Sequence, residues 1–163
     1  VIDYQGILER LTSGEVEFIL IGGFAAVIHG SARLTLDVDV VYRRSPDNLR
    51  KLVAALAPIK PYLRGAPPGL PFQWDLRTLQ RGLNFTLVTD LGAIDVLGEV
   101  AGGGTYEALL PDTEEVSVGA ITFRVVSLRR LIALKRAAGR RKDLEGIAEL
   151  EVIDEEGSTP PEC

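Results

Sequence analysis

Along the first third of the chain, the apolar positions change period several times. Ile2, Ile7, Leu8 and Leu11 recur at helical spacing over residues 2–12, and Ser13-Gly14 breaks the pattern. Glu17 to Ile21 ends in a continuous apolar run that suits a buried strand. Two glycines, Gly22 and Gly23, follow at once, and Phe24 to His29 then reads as a short helix closed by Gly30. Residues 36–42 (LDVDVVY) alternate as a strand does, with Leu36, Val38 and Val40 expected on the core face. Ser45 and Pro46 open the next helix as cap and first helical residue. Leu49, Leu52, Val53 and Leu56 carry its apolar face as far as Pro58.

Residues 58–82 have no such rhythm. They hold Pro58, Pro61, Pro67, Pro68 and Pro71, the only tryptophan, Trp74, and the cations Lys60, Arg64, Arg77 and Arg81. The expectation is a long irregular segment, of the kind that is often functional or mobile. Trp74 and Phe72 can stack on a base there or anchor the loop. Periodicity returns with strands at 84–89 and 93–100 around Asp90-Leu91-Gly92, then a second hairpin, 115–118 and 121–126, around Gly119-Ala120. Ser127 caps a helix to about Ala138, a last helix spans 143–150, and residues 154–163 (DEEGSTPPEC) read as a disordered acidic tail. The class is α/β (α+β) with a small mixed sheet. The expected organisation is a single domain over 1–153, of which 127–153 is a basic helical segment.

Composition narrows the function classes. A chain of 163 residues with 46% hydrophobic and 25% charged residues can bury a real core. A net charge of -5 does not suit a general nucleic-acid coat or a membrane-surface protein. The one cysteine, Cys163, excludes an internal disulfide and a cysteine zinc site. The start has no secretory leader pattern, and the longest apolar run, Phe18 to Ile28, is about half of a spanning helix. A cytoplasmic protein with no membrane role is expected.

The chemistry concentrates in the acids. Residues two apart in a strand point the same way, so Asp37 and Asp39 put two carboxylates on one face, about 7 Å apart at the backbone. Like charges this close repel, and a hard divalent cation removes the penalty. An exposed strand face also shows alternating acids, so the pair alone decides little. Asp95 lies between Ile94 and Val96 in a later apolar strand, where a lone acid needs solvent or a partner. If the two strands are neighbours, three carboxylates converge, enough to hold two metal ions. Gly22-Gly23 at a strand-to-helix junction would let a phosphate approach free backbone N–H groups. Residues 129–142 hold seven of the 18 Lys and Arg and no acid, a locally positive surface on an acidic chain. Cations near a helix C-terminus are the plainer reading of the same residues.

Taken together, Gly22-Gly23, Asp37-Val38-Asp39-Val40 and the isolated Asp95 resemble the nucleotidyltransferase superfamily of the DNA polymerase β type. The string GGFAAVIHGSARLTLDVDVV (residues 22–41) is similar to the small bacterial branch that includes minimal nucleotidyltransferases and AbiEii-type toxins of toxin–antitoxin systems. Residues 134–144 (LKRAAGRRKDL) resemble a basic segment of that branch. The resemblance covers roughly residues 16–150. It implies a mixed sheet flanked by helices, two Mg²⁺ ions, and transfer of a nucleoside monophosphate from an NTP to an acceptor hydroxyl. By position, Asp37 and Asp39 would bind both metals, and Asp95 would complete one site and help activate the acceptor. Gly22, Gly23, Arg33, Thr35, Lys135, Arg140 and Lys142 would bind the nucleotide. Asp143 is expected to cap a helix or orient Arg140 or Lys142, and His29, the only histidine, to be structural. The acceptor implied is a tRNA end or a protein, with a small helical protein as partner. Two alternatives keep the fold and change the function: a non-catalytic nucleotide- or partner-binding module, and an antibiotic nucleotidyltransferase.

Overall fold

The computed structural model describes residues 2–158. Helix α1 (Tyr4–Ser13) begins where the Asp3 carboxylate accepts the Gly6 N–H at 2.8 Å. Strand β1 (Phe18–Ile21) runs straight into α2 (Gly22–Ile28). Strand β2 (Val38–Tyr42) leads to α3 (Pro46–Leu56), whose Ser45 cap accepts the Asn48 N–H. Buried Asn48 also accepts the Glu17 N–H at 2.7 Å and donates to the Glu17 and Arg43 carbonyls, tying the start of β1 to the end of β2. There follow β3 (Tyr62–Leu63), α4 (Leu76–Arg81), β4 (Asn84–Thr89) and β5 (Gly92–Leu97). A small ribbon of β6 (Glu99–Val100) and β7 (Gly104–Thr105) precedes α5 (Tyr106–Leu109). The hairpin β8 (Thr113–Val118) and β9 (Ile121–Val126) comes next, then α6 (Leu128–Ala138) and α7 (Arg141–Ser158).

Seven of these strands form one mixed sheet in the order β3-β4-β5-β2-β1-β9-β8. The pairs β1–β9 and β2–β5 are parallel and the others antiparallel. Directly opposed residues share a face, so the register fixes what each face carries. Leu20, Val40, Ile94, Val96, Phe85 and Leu87 belong to one face and are buried. Asp39, Asp95 and Thr86 belong to the other. Helix α1 packs on α3 and β9, while α2 lies against β1, β2 and α6, and α6 against α7. Mixed sheet and flanking helices agree with the expected class. No described helix is long and apolar enough to cross a membrane.

Three local expectations are corrected. Leu36 is 74% exposed, because the chain joins the sheet only at Val38 and the preceding loop is held off it. The 58–82 segment is not wholly irregular: it carries an edge strand, β3, and a helix capped by Asp75. Its aromatics anchor it, since Trp74 Nε1 donates to the Val53 carbonyl at 3.2 Å and its ring meets Phe85 edge-on. Phe72 packs edge-on against Tyr62. The final helix runs through Ser158, so residues 154–158 of the expected tail are helical, with Ile153 packed on the core and Asp154 paired with Arg129. Cys163 and the rest of that tail lie outside the described residues.

Candidate active site

Asp39 and Asp95 are cross-strand partners on the adjacent parallel strands β2 and β5. Asp37, two residues before Asp39, faces the same way, and one carboxylate oxygen from each acid lies within 4.8 Å of the others. All three are half-buried. The apolar residues between them, Val38, Ile94 and Val96, are fully buried, which leaves the acids no freedom to turn away from one another. Burial, then the charge of Asp37, then the hydrogen bond and charge of Asp95 push the Asp39 carboxyl up to about 8. Without a cation, the cluster therefore keeps a proton at neutral pH.

The glycine turn has a direct physical reason. Gly22 sits at φ +72°, and a Cβ there would overlap the Asp39 carboxylate. A Cβ on Gly23 would come within 2.6 Å of the Thr35 hydroxyl. The two glycines thus make room first for an acid and for the loop beside it. That loop, residues 31–36, is pinned from two sides. Tyr4, stacked on Phe24, donates its hydroxyl to the Thr35 carbonyl. Glu149 of α7 accepts from the Ser31 hydroxyl and the Ala32 N–H, and these bonds lower its pKa. Thr35 donates its own hydroxyl to the Asp37 carbonyl at 3.1 Å.

The acids open into a cavity of about 320 Å³. All ten residues singled out from the sequence line it: Gly22, Gly23, Arg33, Thr35, Asp37, Asp39, Asp95, Lys135, Arg140 and Lys142. Ser31, Glu149, Leu34 and Leu36 line it too and were not foreseen. A larger open groove lined by Arg10, Arg50, Lys51 and Leu91 contains none of the acids.

The basic segment is less positive than its sequence. Arg129, Arg130, Arg136, Arg140 and Arg141 pair with Asp154, Asp112, Glu151, Asp143 and Glu145. Lys135 and Lys142 enter none of these ion pairs. Lys135 is half-buried, and burial lowers its pKa against the opposing pull of Asp143 and Asp39. Buried Asp143 receives Arg140 Nε at 2.7 Å, which raises the arginine's pKa further and aims the guanidinium beside the cavity. His29 donates Nε2–H to the Val126 carbonyl at 2.7 Å and lies 3.7 Å from Glu114.

Sequence reasoning gave Arg64 no role. It follows β3, and its guanidinium reaches the acids: Nη2 is 2.8 Å from Asp95 Oδ1 and Nη1 is 3.5 Å from Asp37 Oδ2. A two-residue strand among prolines leaves no alternation to reveal which way it points.

The donor set fits a hard divalent cation. It is three carboxylates with no histidine or cysteine among them, one pushed toward its protonated form by burial and by its acidic neighbours. Asp95 Oδ1 is buried without a directed hydrogen bond.

No family model matches the sequence, and no curated protein does. Among solved structures, a Thermotoga maritima protein provisionally named a nucleotidyltransferase superimposes with a TM-score of 0.56, at 13% identity, over 89% of this chain and 88% of that one. At that identity the likeness establishes the fold, and this chain has a nucleotidyltransferase fold with a mixed sheet flanked by helices. Fold alone does not carry activity.

Proposed function

We propose that the chain is a metal-dependent nucleotidyltransferase that moves a nucleoside monophosphate from an NTP to an acceptor hydroxyl. One observation carries this reading: three carboxylates on β2, β5 and the residue before β2 meet at the floor of a cavity walled by Lys135, Arg140, Lys142 and Arg33. Asp37, Asp39 and Asp95 would hold the two Mg²⁺ ions that the resemblance implies. The ions, when bound, supply charge neutralisation of the triphosphate and acidify the acceptor hydroxyl. Lys135, Lys142 and the Asp143-aimed Arg140 bind phosphate oxygens, and Arg33 reaches them from the pinned loop. The Gly22-Gly23 turn lets the triphosphate lie close to the backbone. Asp95 accepts the hydroxyl proton at its carboxylate as the acceptor oxygen bonds to the α-phosphorus and the bond to the departing pyrophosphate breaks. Following the bacterial branch that the sequence resembles, the acceptor is a tRNA end or a protein hydroxyl, in a system with a small helical partner.

The test is transfer of label from each α-³²P NTP, with Mg²⁺, to total tRNA and to lysate protein, beside the Asp37→Ala/Asp39→Ala variant. The expected result is label in one macromolecule that the variant loses by on the order of a thousandfold or more, with its far-UV circular dichroism unchanged. Label that persists in the variant, or NTP binding without transfer to any acceptor, would overturn the reading.

A further inference from the structure

Arg64 completes a row across three strands. Its backbone N–H donates to the Thr86 carbonyl at 3.0 Å, Thr86 opposes Asp95, and Asp95 opposes Asp39. Side chains in such a row share a face, and Thr86 is short enough to let the arginine pass above it. The guanidinium ends between two acids, 2.8 Å from Asp95 Oδ1 and 3.5 Å from Asp37 Oδ2, and Nη2 also donates to the Leu87 carbonyl at 2.9 Å. Among the described residues no other cation is ion-paired with the triad.

The contact is close but poorly formed. A structural arginine usually meets a carboxylate through two parallel hydrogen bonds. Here one guanidinium is split between two carboxylates, and both Arg64 Nε and Asp95 Oδ1 are buried without a directed hydrogen bond. The charges attract while donors and acceptors are left unsatisfied, the signature of an ion pair that is held rather than locked. The oxygens it holds are oxygens a divalent cation would need. Two positive centres cannot share them at this range without strong repulsion.

We propose that Arg64 is a resident counter-ion of the acid triad that a divalent cation must displace, so that metal entry and departure of the guanidinium are one exchange. The inference rests on the reading of the triad as a metal site. It gives the β3 segment a role: the edge strand carries the positive charge that keeps three acids together until the metal arrives.

Mn²⁺ binding by calorimetry, with thermal melts in chelator and in Mn²⁺, tests it on wild type, Arg64→Gln, Arg64→Lys and Asp39→Ala. Arg64→Gln should bind Mn²⁺ about tenfold more tightly than wild type, with Arg64→Lys between them. It should also melt lower than wild type in chelator and gain more from Mn²⁺. Equal or weaker binding by Arg64→Gln, while wild type binds and Asp39→Ala does not, would overturn the exchange and leave the metal site standing. Should Arg64→Gln fail to fold, Arg64→Lys with wild-type affinity would overturn it equally. No difference between wild type and Asp39→Ala would overturn both readings.

Discussion

The acids of the cavity stand on or beside β2 and β5, strands in the middle of the sheet, whereas its cations stand at the α6–α7 corner. On the acid side, the register sets Asp39 against Asp95, and buried valines and isoleucine hold the backbone that carries them. Little can relax there, so burial, and after it repulsion from Asp37 and Asp95, raise the proton affinity of Asp39. On the cationic side, acids distant in sequence neutralise Arg129, Arg130 and Arg136. What remains for an anionic ligand is Lys135, Lys142 and an arginine aimed by Asp143. A sheet can keep like charges together by register, while a helix corner offers its cations only where the paired carboxylates leave them turned to the cavity.

That contrast can be broken most sharply at Gly22. Alanine there meets the Asp39 carboxylate and a left-handed backbone, so Gly22→Ala should cost on the order of 2 kcal/mol of stability, read by denaturant titration, and abolish Mn²⁺ binding. Full stability with normal binding would mean the turn has slack. Next comes the proton on Asp39. Its folded pKa of about 8 lies above the unfolded value of 3.8, so the native state binds more protons between these values. Stability of the metal-free protein should therefore fall as pH rises from about 4 to about 8, and melts of Asp39→Asn should lose most of that slope. A slope unchanged in the variant would place the proton elsewhere. The smallest effect sharpens the cationic side. Lys135→Ala should raise KM for the NTP about tenfold, whereas Arg136→Ala, a surface cation already paired with Glu151, should change it less than about twofold.

How far the sequence could be read follows from the same physics. Strict alternation around Asp37, Asp39 and Asp95 exposed a one-sided acid face, because apolar partners had to occupy the other side. Strand adjacency was a supposition there and is an observed register here. Leu36 continued the alternation yet left the sheet, since Tyr4 and Glu149 hold its loop and neither contact leaves a local trace in the sequence. Arg64 was hidden for the opposite reason: β3 is too short to show a period. The cation run was plain, but the acids that neutralise Arg129, Arg130 and Arg136 are 15 to 25 residues away on other elements, and composition cannot pair them.

The hydrogen bond from the Ser31 hydroxyl to Glu149 joins residues 118 apart in sequence. A chain emerging from the ribosome can pair β2 with β5 once residue 97 is out, and so gather the acids early. The loop that lines the cavity, held on one side by Tyr4, is fastened on the other only when α7 has followed. The site thus has an order along the chain: the strands that carry its charged floor are made before the helix that fastens its rim. A nascent chain arrested between those two points would carry the acids and Arg64 without the helix that fastens the loop beside them.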